Sequence, residues 1–371
     1  MKKKLAILGA SYLQLPLVDK CRKLGIETHC FAWDKDAVCK NFADYYYPIS
    51  VLDENSILEK CQEIEIDGIT TIAMDICIPV INSIAEKMGL IGNSEFCSIA
   101  TTDKGVMRNV FFKNSIPIPT FIETSSADEI DCSEISFPCI IKPVDRSGSL
   151  GVKLVCEKSE IYSAINEACE VSFQKKCLVE QFIEGQEISV ESISFEGKHQ
   201  ILAITDKVIT PHPYFVEIEH HQPAMISEKL TEEIRKLTIE ILDSVEIKNG
   251  ASHTEFIIDK NNHVFAIEIG SRMGGDFIGS DLVYLSTGFD FLKAVAHVAL
   301  GDFKWEELLS ENNFSGVYFL AEETKRLLEY FHNEKEFIIK TEITQVELKN
   351  LKASSDRSGY LIYQSDHKII L

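Results

Sequence analysis

The sequence predicts an α/β domain followed by a larger α+β region, and three observations carry that prediction. Strand-like and helix-like periods alternate over roughly the first 90 residues; beyond Ile116-Pro117-Ile118-Pro119 strands follow one another with only interspersed helices; and His253 to Arg272 reads as a hairpin with a carboxylate on each arm. Alternation of the first kind builds a parallel sheet, and strands in succession build antiparallel ones.

In order, Leu5 to Leu8 is a strand, Gly9-Ala10-Ser11 a tight turn, Leu13 to Leu24 an amphipathic helix, and Gly25 precedes a second strand that runs through Ala32. Further strands are expected at Gly68 to Ala73 and at Leu90-Ile91. The full G-x-G-x-x-G is absent and Gly9 alone is a weak dinucleotide signal, so a structural or substrate-side role is favoured for this domain. A helix over Thr102 to Asn114 stops before the two prolines, whose fixed φ and missing N–H enforce extended backbone. Strands then fall at Cys139 to Lys142, Val152 to Cys156, Leu178 to Phe182, Glu187 to Phe195 and His199 to Asp206, and a helix over Glu228 to Val245 leads to the hairpin. The last 60 to 70 residues read as a small α+β tail.

In the hairpin, Asn261-Asn262 supplies two residues tolerant of positive φ, as a two-residue type I′ turn requires. That turn pairs Lys260 with His263 and, counting back, Glu255 with Glu268. One face then carries Phe256, Ile258, Phe265, Ile267 and Ile269 toward a core. The other carries His253, Glu255, Asp259 and Glu268, with Ile257, Val264 and Ala266 among them. Opposed side chains lie roughly 4.5–5.5 Å apart at Cβ, so two glutamates there repel unless a cation joins them. Paired hard oxygens suit Mg2+, which takes one or two carboxylates and completes its shell from substrate phosphates. Read alone, the pair is also open to a plainer account, a solvated glutamate at a sheet edge.

Composition narrows the partners. The chain has 371 residues, 45% of them hydrophobic and 26% charged, and no apolar run reaches the roughly 18 residues of a membrane span. The Met1-Lys2-Lys3-Lys4 start leads into a run too short for a secretory signal, and a cytoplasmic protein is expected. Eleven cysteines occur without a C-x-x-C pair; they read as small buried hydrophobes in a reducing compartment, and a zinc site is disfavoured. A net charge of −21 opposes nucleic acid. Any phosphate must be bound locally.

Two segments could do so. Phe137 to Pro143 is an apolar strand ending in Lys142, and the loop after it holds Ser147, Gly148, Ser149 and Gly151; a lysine beside backbone N–H groups of this kind suits phosphate. The spacing excludes a Walker loop, and a plain surface hairpin uses the same residue types. Leu178 to Glu187 sets carboxylates among apolar residues at a strand end, a composition able to accept an exocyclic amine and ribose hydroxyls.

Together these segments resemble the ATP-grasp carboxylate–amine ligase superfamily: Lys104 before a helix, Lys142 with its Gly/Ser loop, the Glu180 strand, then Glu255 and Glu268 on a hairpin. The resemblance spans about residues 100 to 300. It implies the ATP-grasp fold, with a Rossmann-like α/β domain over 1–95, an ATP-grasp domain over 96–300 that contains a small lid at about 115–182, and a C-terminal α+β subdomain over 301–371 completing the module. It also implies ATP and Mg2+, with Mn2+ able to replace the latter. Lys104 and Lys142 are expected on the phosphates, with Ser147, Gly148, Ser149 and Gly151 closing over them. Glu180, Gln181, Phe182 and Ile183 are expected around adenine, Glu187 on the ribose, and Glu255 and Glu268 on the metal. The family often reads Glu-x-Asn-x-Arg, whereas this chain reads Glu268-Ile269-Gly270-Ser271-Arg272, so the Asn ligand is missing.

Within the superfamily, Asp206-Lys207, Glu217-Ile218-Glu219-His220 and Ser271 to Asp276 look most like the L-amino acid ligases that form dipeptides. That likeness puts Glu217 on an α-amino group, the bidentate fork of Arg272 on a carboxylate or acyl phosphate, and His220 on the transferring phosphate or an oxyanion, making Lys142, His220 and Arg272 the catalytic set. Gly275 and Asp276 are expected to wall the acceptor pocket; a solvated loop histidine and a turn aspartate are the plainer accounts of His220 and Asp276. The implied reaction activates a carboxylate, an amino acid above all, as an acyl phosphate and captures it with an amine. Bicarbonate or a nucleotide precursor as substrate is the enzymatic alternative, and nucleotide binding without catalysis the other. Expected partners are the small-molecule carboxylate and amine, with neither nucleic acid nor membrane, and homodimers are common in the superfamily.

Overall fold

The computed structural model describes residues 2–131, 135–307, 313–332 and 335–371, and its strands form three sheets. The first is parallel, in the order β3-β2-β1-β4, with β1 (Lys4–Leu8), β2 (Glu27–Phe31), β3 (Tyr45–Tyr47) and β4 (Gly68–Thr70). Its first crossover helix, Leu15–Lys23, has proline in the first turn and Lys20, Arg22 and Lys23 in the last, where cations suit the helix dipole. The strand expected at Leu90-Ile91 does not form: the helix Ile78–Met88 ends on left-handed Gly89, and the Leu90 N–H bonds back to the Ala85 carbonyl. Three tyrosines of high strand propensity take a sheet edge instead, at β3.

Because β2 and β4 lie on opposite sides of β1, the loops after β1 and β4 diverge at the switch point where open α/β sheets place ligands. Gln14 ties these loops together, donating to the Ile72 carbonyl at 2.7 Å and accepting from the Ser11 N–H at 3.0 Å. Gly9 (φ +94°) leaves Gln14 its room, since a Cβ there would lie 2.9 Å from the amide carbon.

The second sheet is small and antiparallel, β5-β8-β6-β7, with β5 (Phe121–Thr124), β6 (Cys139–Pro143), β7 (Lys153–Val155) and β8 (Cys177–Gln181). One face packs Cys139, Ile141, Val155 and Val179 on the helix Ile161–Val171. The third sheet has eight antiparallel strands in the order β13-β12-β9-β10-β11-β14-β16-β15: β9 (Gly185–Phe195), β10 (Lys198–Ile209), β11 (Glu217–Gln222), β12 (Gly250–Asp259), β13 (Val264–Gly270), β14 (Phe314–Leu320), β15 (Ile338–Ile343) and β16 (Gly359–Ser365). Ile188, Val190, Ile204, Phe256 and Ile258 pack in one core with the helix Glu228–Ser244. Strand alternation therefore sends Glu187, Glu191, Lys207, His253 and Glu255 to the opposite face. The ten described cysteines are free and nine are buried, while Cys132 lies outside the described residues. Among the described residues no helix is long and apolar enough to cross a membrane.

The hairpin departs from the expected one in two places that offset each other. Asn262 N–H bonds the Asp259 carbonyl, Asp259 N–H bonds the His263 carbonyl, and of the two asparagines Asn262 alone is left-handed (φ 64°), so the turn holds Lys260, Asn261 and Asn262 rather than two residues. A bulge then restores register, since Phe256 faces Ala266 while Glu255 faces Glu268, with Ile267 as the extra residue. The glutamates are opposed as expected. Between bulge and turn the second arm is flipped: Val264 and Ala266 join the core, whereas Phe265 and Ile267 do not, and Ile267 faces the cleft described next.

Candidate active site

A cleft of about 230 Å3 is walled by the small sheet and the polar face of the large one. Of the residues expected at a site, Lys104, Lys142, Ser147, Gly148, Ser149, Glu180, Gln181, Phe182, Ile183, Glu187, Glu217, Glu255, Glu268 and Arg272 line it, and Gly151, His220, Gly275 and Asp276 do not. Lys104 opens the helix Lys104–Lys113, which is capped by the Asp103 side chain. Its ammonium donates to the Arg146 carbonyl at 2.6 Å and reaches Glu268 Oε1 at 2.9 Å. The adjoining loop is exposed and holds Gly148, Ser149 and Gly151 at φ 64°, 56° and 77°, the kind of backbone that gathers N–H groups around an anion.

Glu180 does not offer the free carboxylate expected for adenine. Arg108 Nε lies 2.6 Å from its Oε1 and Lys142 Nζ 2.6 Å from its Oε2, and Arg108 also donates to the Ile267 carbonyl at 2.6 Å. Burial raises the Glu180 carboxyl, but the two cations outweigh it and bring the group down to about 2. Burial also lowers the Lys142 ammonium, with Glu180 partly restoring it.

Lys207 organises the opposite wall. Its Nζ lies 2.6 Å from Glu255 Oε1 and 3.7 Å from Glu217 Oε1, and these carboxylates raise its pKa against the effect of burial. Glu187 faces Lys207 across β9 and β10; burial pushes its carboxyl up to about 7, opposed by Lys207 and reinforced by Glu255 and Glu217. His253 Nδ1 bonds Glu191 and its Nε2 lies 3.1 Å from Glu255 Oε1. Burial lowers this imidazole, but Glu191 and Glu255 carry it up to about 9, so it is a cation at neutral pH.

The two opposed glutamates are thus neutralised separately, Glu255 by Lys207 and His253, Glu268 by Lys104, rather than by one shared cation. Among the described residues no three His, Cys, Asp or Glu side chains converge as a ready-made metal site. The pair nevertheless fits a hard cation completed by phosphate: both carboxylates face the cleft, 29% and 28% exposed.

Beyond Glu217 the structure places a second cluster. His220 is 1% exposed, neither ring nitrogen has a hydrogen-bond partner, and Asp276 Oδ2 stands 3.9 Å away. Burial lowers its pKa, and it sits edge-on to Phe319. It is therefore a neutral core histidine, not a solvated loop residue. Arg357 binds Asp276 at 2.7 Å and Glu217 at 3.2 Å and lies over the Phe319 ring. Arg272 also differs from expectation, because its fork is taken by Asp75 at 2.8 and 2.9 Å.

Sequence reasoning passed over Lys207, His253, Arg108, Asp75 and Arg357 as site residues. For Lys207 and His253, alternation on β10 and β12 was a usable signal. Asp75, Arg108 and Arg357 meet partners 72 to 197 residues away, and nothing local marks them.

The family model of the ATP-grasp domain matches residues 135–281. The alanine–anticapsin ligase of Bacillus subtilis is 25% identical over 278 residues, 65% of this chain and 58% of the relative, so the chain spans less than two thirds of that protein's length. Among solved structures, an L-amino acid ligase from Bacillus licheniformis superposes with a TM-score of 0.81 at 22% identity, covering 99% of this chain and 94% of that one. A phosphoribosylglycinamide synthetase from Anaerococcus prevotii gives 0.79 at 21%, covering 99% and 95%. These likenesses show the fold.

Proposed function

With an ATP-grasp domain at its centre, the chain is, we propose, an ATP-dependent ligase that activates an amino acid carboxylate and joins it to an amine. The observation that carries the reading is convergence: two lysines, a left-handed Gly/Ser loop, a hinge strand and two opposed glutamates, distant in sequence, line one cleft. Lys104, Lys142 and the Ser147 to Gly151 loop bind the phosphates. With the Glu180 carboxylate committed to Arg108 and Lys142, the backbone of Gln181, Phe182 and Ile183 reads the adenine edge between Phe182 and Ile267, and Glu187 holds the ribose. Glu255 and Glu268 are the residues to hold Mg2+, or Mn2+, and the ion when bound offsets charge on the transferring phosphoryl group.

A carboxylate oxygen attacks the γ-phosphorus and the bond to the bridging oxygen breaks, giving ADP and an acyl phosphate. The amine then attacks the acyl carbon, phosphate leaves, and the nitrogen loses a proton. Catalysis is chiefly positioning and charge neutralisation, with Arg272 near the anion and the Gly/Ser loop excluding the water that hydrolyses acyl phosphates. Glu217 attracts the amine end of a substrate, with Arg357 steadying it from behind. The likeness to an L-amino acid ligase and to an alanine ligase supports amino acids as substrates. The phosphoribosylglycinamide synthetase neighbour keeps a second reading in view.

The test is phosphate release with ATP and Mg2+ across amino acids, singly and in pairs, with mass spectrometry of the product. Release that depends on an amino acid and yields a dipeptide is expected. Release only on bicarbonate or a phosphoribosyl amine overturns the reading, and ATP binding with no release on any carboxylate reduces the protein to a nucleotide binder.

A further inference from the structure

Gly270 and Arg272 stand two residues apart at the end of β13, and one side chain from the first domain accounts for both. Asp75 follows β4 at the switch point, accepts from Arg272 Nε at 2.8 Å through Oδ1 and from Nη2 at 2.9 Å through Oδ2. The two side chains are 14% and 15% exposed. Burial raises the Asp75 carboxyl, but Arg272 and, further off, Lys104 and His253 hold it below its usual value, so it is a carboxylate. Arg272 Nη1 is left with only a 3.5 Å approach to the Met273 carbonyl, and Arg272 lines the cleft.

A Cβ built on Gly270 would stand 2.5 Å from Asp75 Oδ1. That is too close for contact, yet it nearly equals the roughly 2.4 Å that standard bond lengths set between an aspartate or asparagine Cβ and its own oxygen. Asp75 therefore delivers an oxygen at the distance a side chain on residue 270 would have used. The approach is held by backbone, since Ala73 N–H bonds the Met273 carbonyl at 3.1 Å, and by a 2.9 Å contact between the Thr101 and Ser271 hydroxyls.

We propose that Asp75 is the positioning residue of Arg272: it reaches across the domain boundary through the space left by Gly270, fixes Nε and Nη2, and leaves Nη1 to meet the substrate's carboxylate or acyl phosphate. The proposal rests on the ligase reading and changes it in one respect, because Arg272 then meets the anion through one nitrogen and not through its fork. Gly270 is read as the partner of Asp75, and the missing Asn as the consequence of that pairing.

The experiment compares Asp75→Ala with the double variant Asp75→Ala/Gly270→Asp, in which the carboxylate returns from the hairpin itself. Asp75→Ala is expected to lower kcat by about a hundredfold, the scale of an ångström-sized misplacement, with KM for ATP unchanged. The double variant is expected to recover most of that loss, which no purely structural role for Asp75 produces. Full kcat in Asp75→Ala, or a loss that Gly270→Asp does not repair, overturns the proposal. Arg272→Ala separates the two layers. Normal ligation in that variant removes Arg272 from the chemistry and the reading beneath the proposal with it, whereas an inactive Arg272→Ala beside a fully active Asp75→Ala removes the proposal alone.

Discussion

Glu180 and Glu268 line the same cleft, yet Glu180 is 4% exposed and gripped by two cations, whereas Glu268 is 28% exposed and held by one. Arg108, Lys142 and Glu180 form an ion-paired set between the helix Lys104–Lys113 and the small sheet, in which Arg108 Nη2 also donates to the Ile267 carbonyl and Nη1 is buried without a hydrogen-bond partner. Removing Glu180 strands two buried cations. Lys104, by contrast, divides its ammonium between Glu268 and a carbonyl, so Glu268 can exchange its lysine for another cation at little cost to the frame. Two carboxylates that sequence reasoning treated alike as ligand contacts therefore separate into one fixed in the frame and one free to exchange its cation.

The largest expected effect tests the exchangeable side. Glu268→Gln is expected to cut amino acid-dependent phosphate release by about a hundredfold or more, the scale seen when one preorganised charge-stabilising group is lost, with the urea unfolding midpoint unchanged. Wild-type turnover in that variant breaks the distinction by removing the hairpin from the chemistry.

The structural side is read in stability. Glu180→Gln is expected to cost roughly 3–5 kcal/mol in urea unfolding, because it leaves Arg108 and Lys142 buried without their carboxylate, and Arg108→Met/Glu180→Gln to recover part of it. A loss below about 1 kcal/mol would make Glu180 as exchangeable as Glu268.

Which parts of this were legible follows from the range of the interactions. Strand alternation and turn chemistry are local, and they set Glu255 opposite Glu268 in advance even though turn length was misjudged. The bulge at Ile267 repaired the register, and no local signal announces it; beside it the Ala266 N–H bonds the Pro117 carbonyl of a distant segment. That the two lysines and the Gly/Ser loop meet at one cleft was legible because these residue types at a strand end suit an anion site. The fates of Glu180 and Arg272 were not, because each depends on a partner from a separate element, Arg108 in one case and Asp75 in the other. His220 was misjudged for the same reason: its burial against Phe319 comes from a strand far along the chain.

Glu187 lies between the two extremes and carries the smallest expected effect. It shares Lys207 with Glu255, which is bonded to that lysine at 2.6 Å, so burial leaves its carboxyl raised to about 7. A carboxyl raised in the folded state binds its proton there while the unfolded chain, titrating near 4.5, has already released it. Stability from this group is therefore fully present below about pH 4.5 and is lost as pH rises to about 7. Glu187→Gln removes that slope. The difference in unfolding free energy between variant and wild type, measured by urea at intervals from pH 4.5 to 8 without nucleotide, is expected to grow in favour of the variant by about 1–3 kcal/mol and then level off. Parallel curves would mean that Lys207 serves Glu187 as well as Glu255. In that case the wall of the cleft facing the small sheet is a shared network, and the contrast between fixed and exchangeable carboxylates holds only for Glu180 and Glu268.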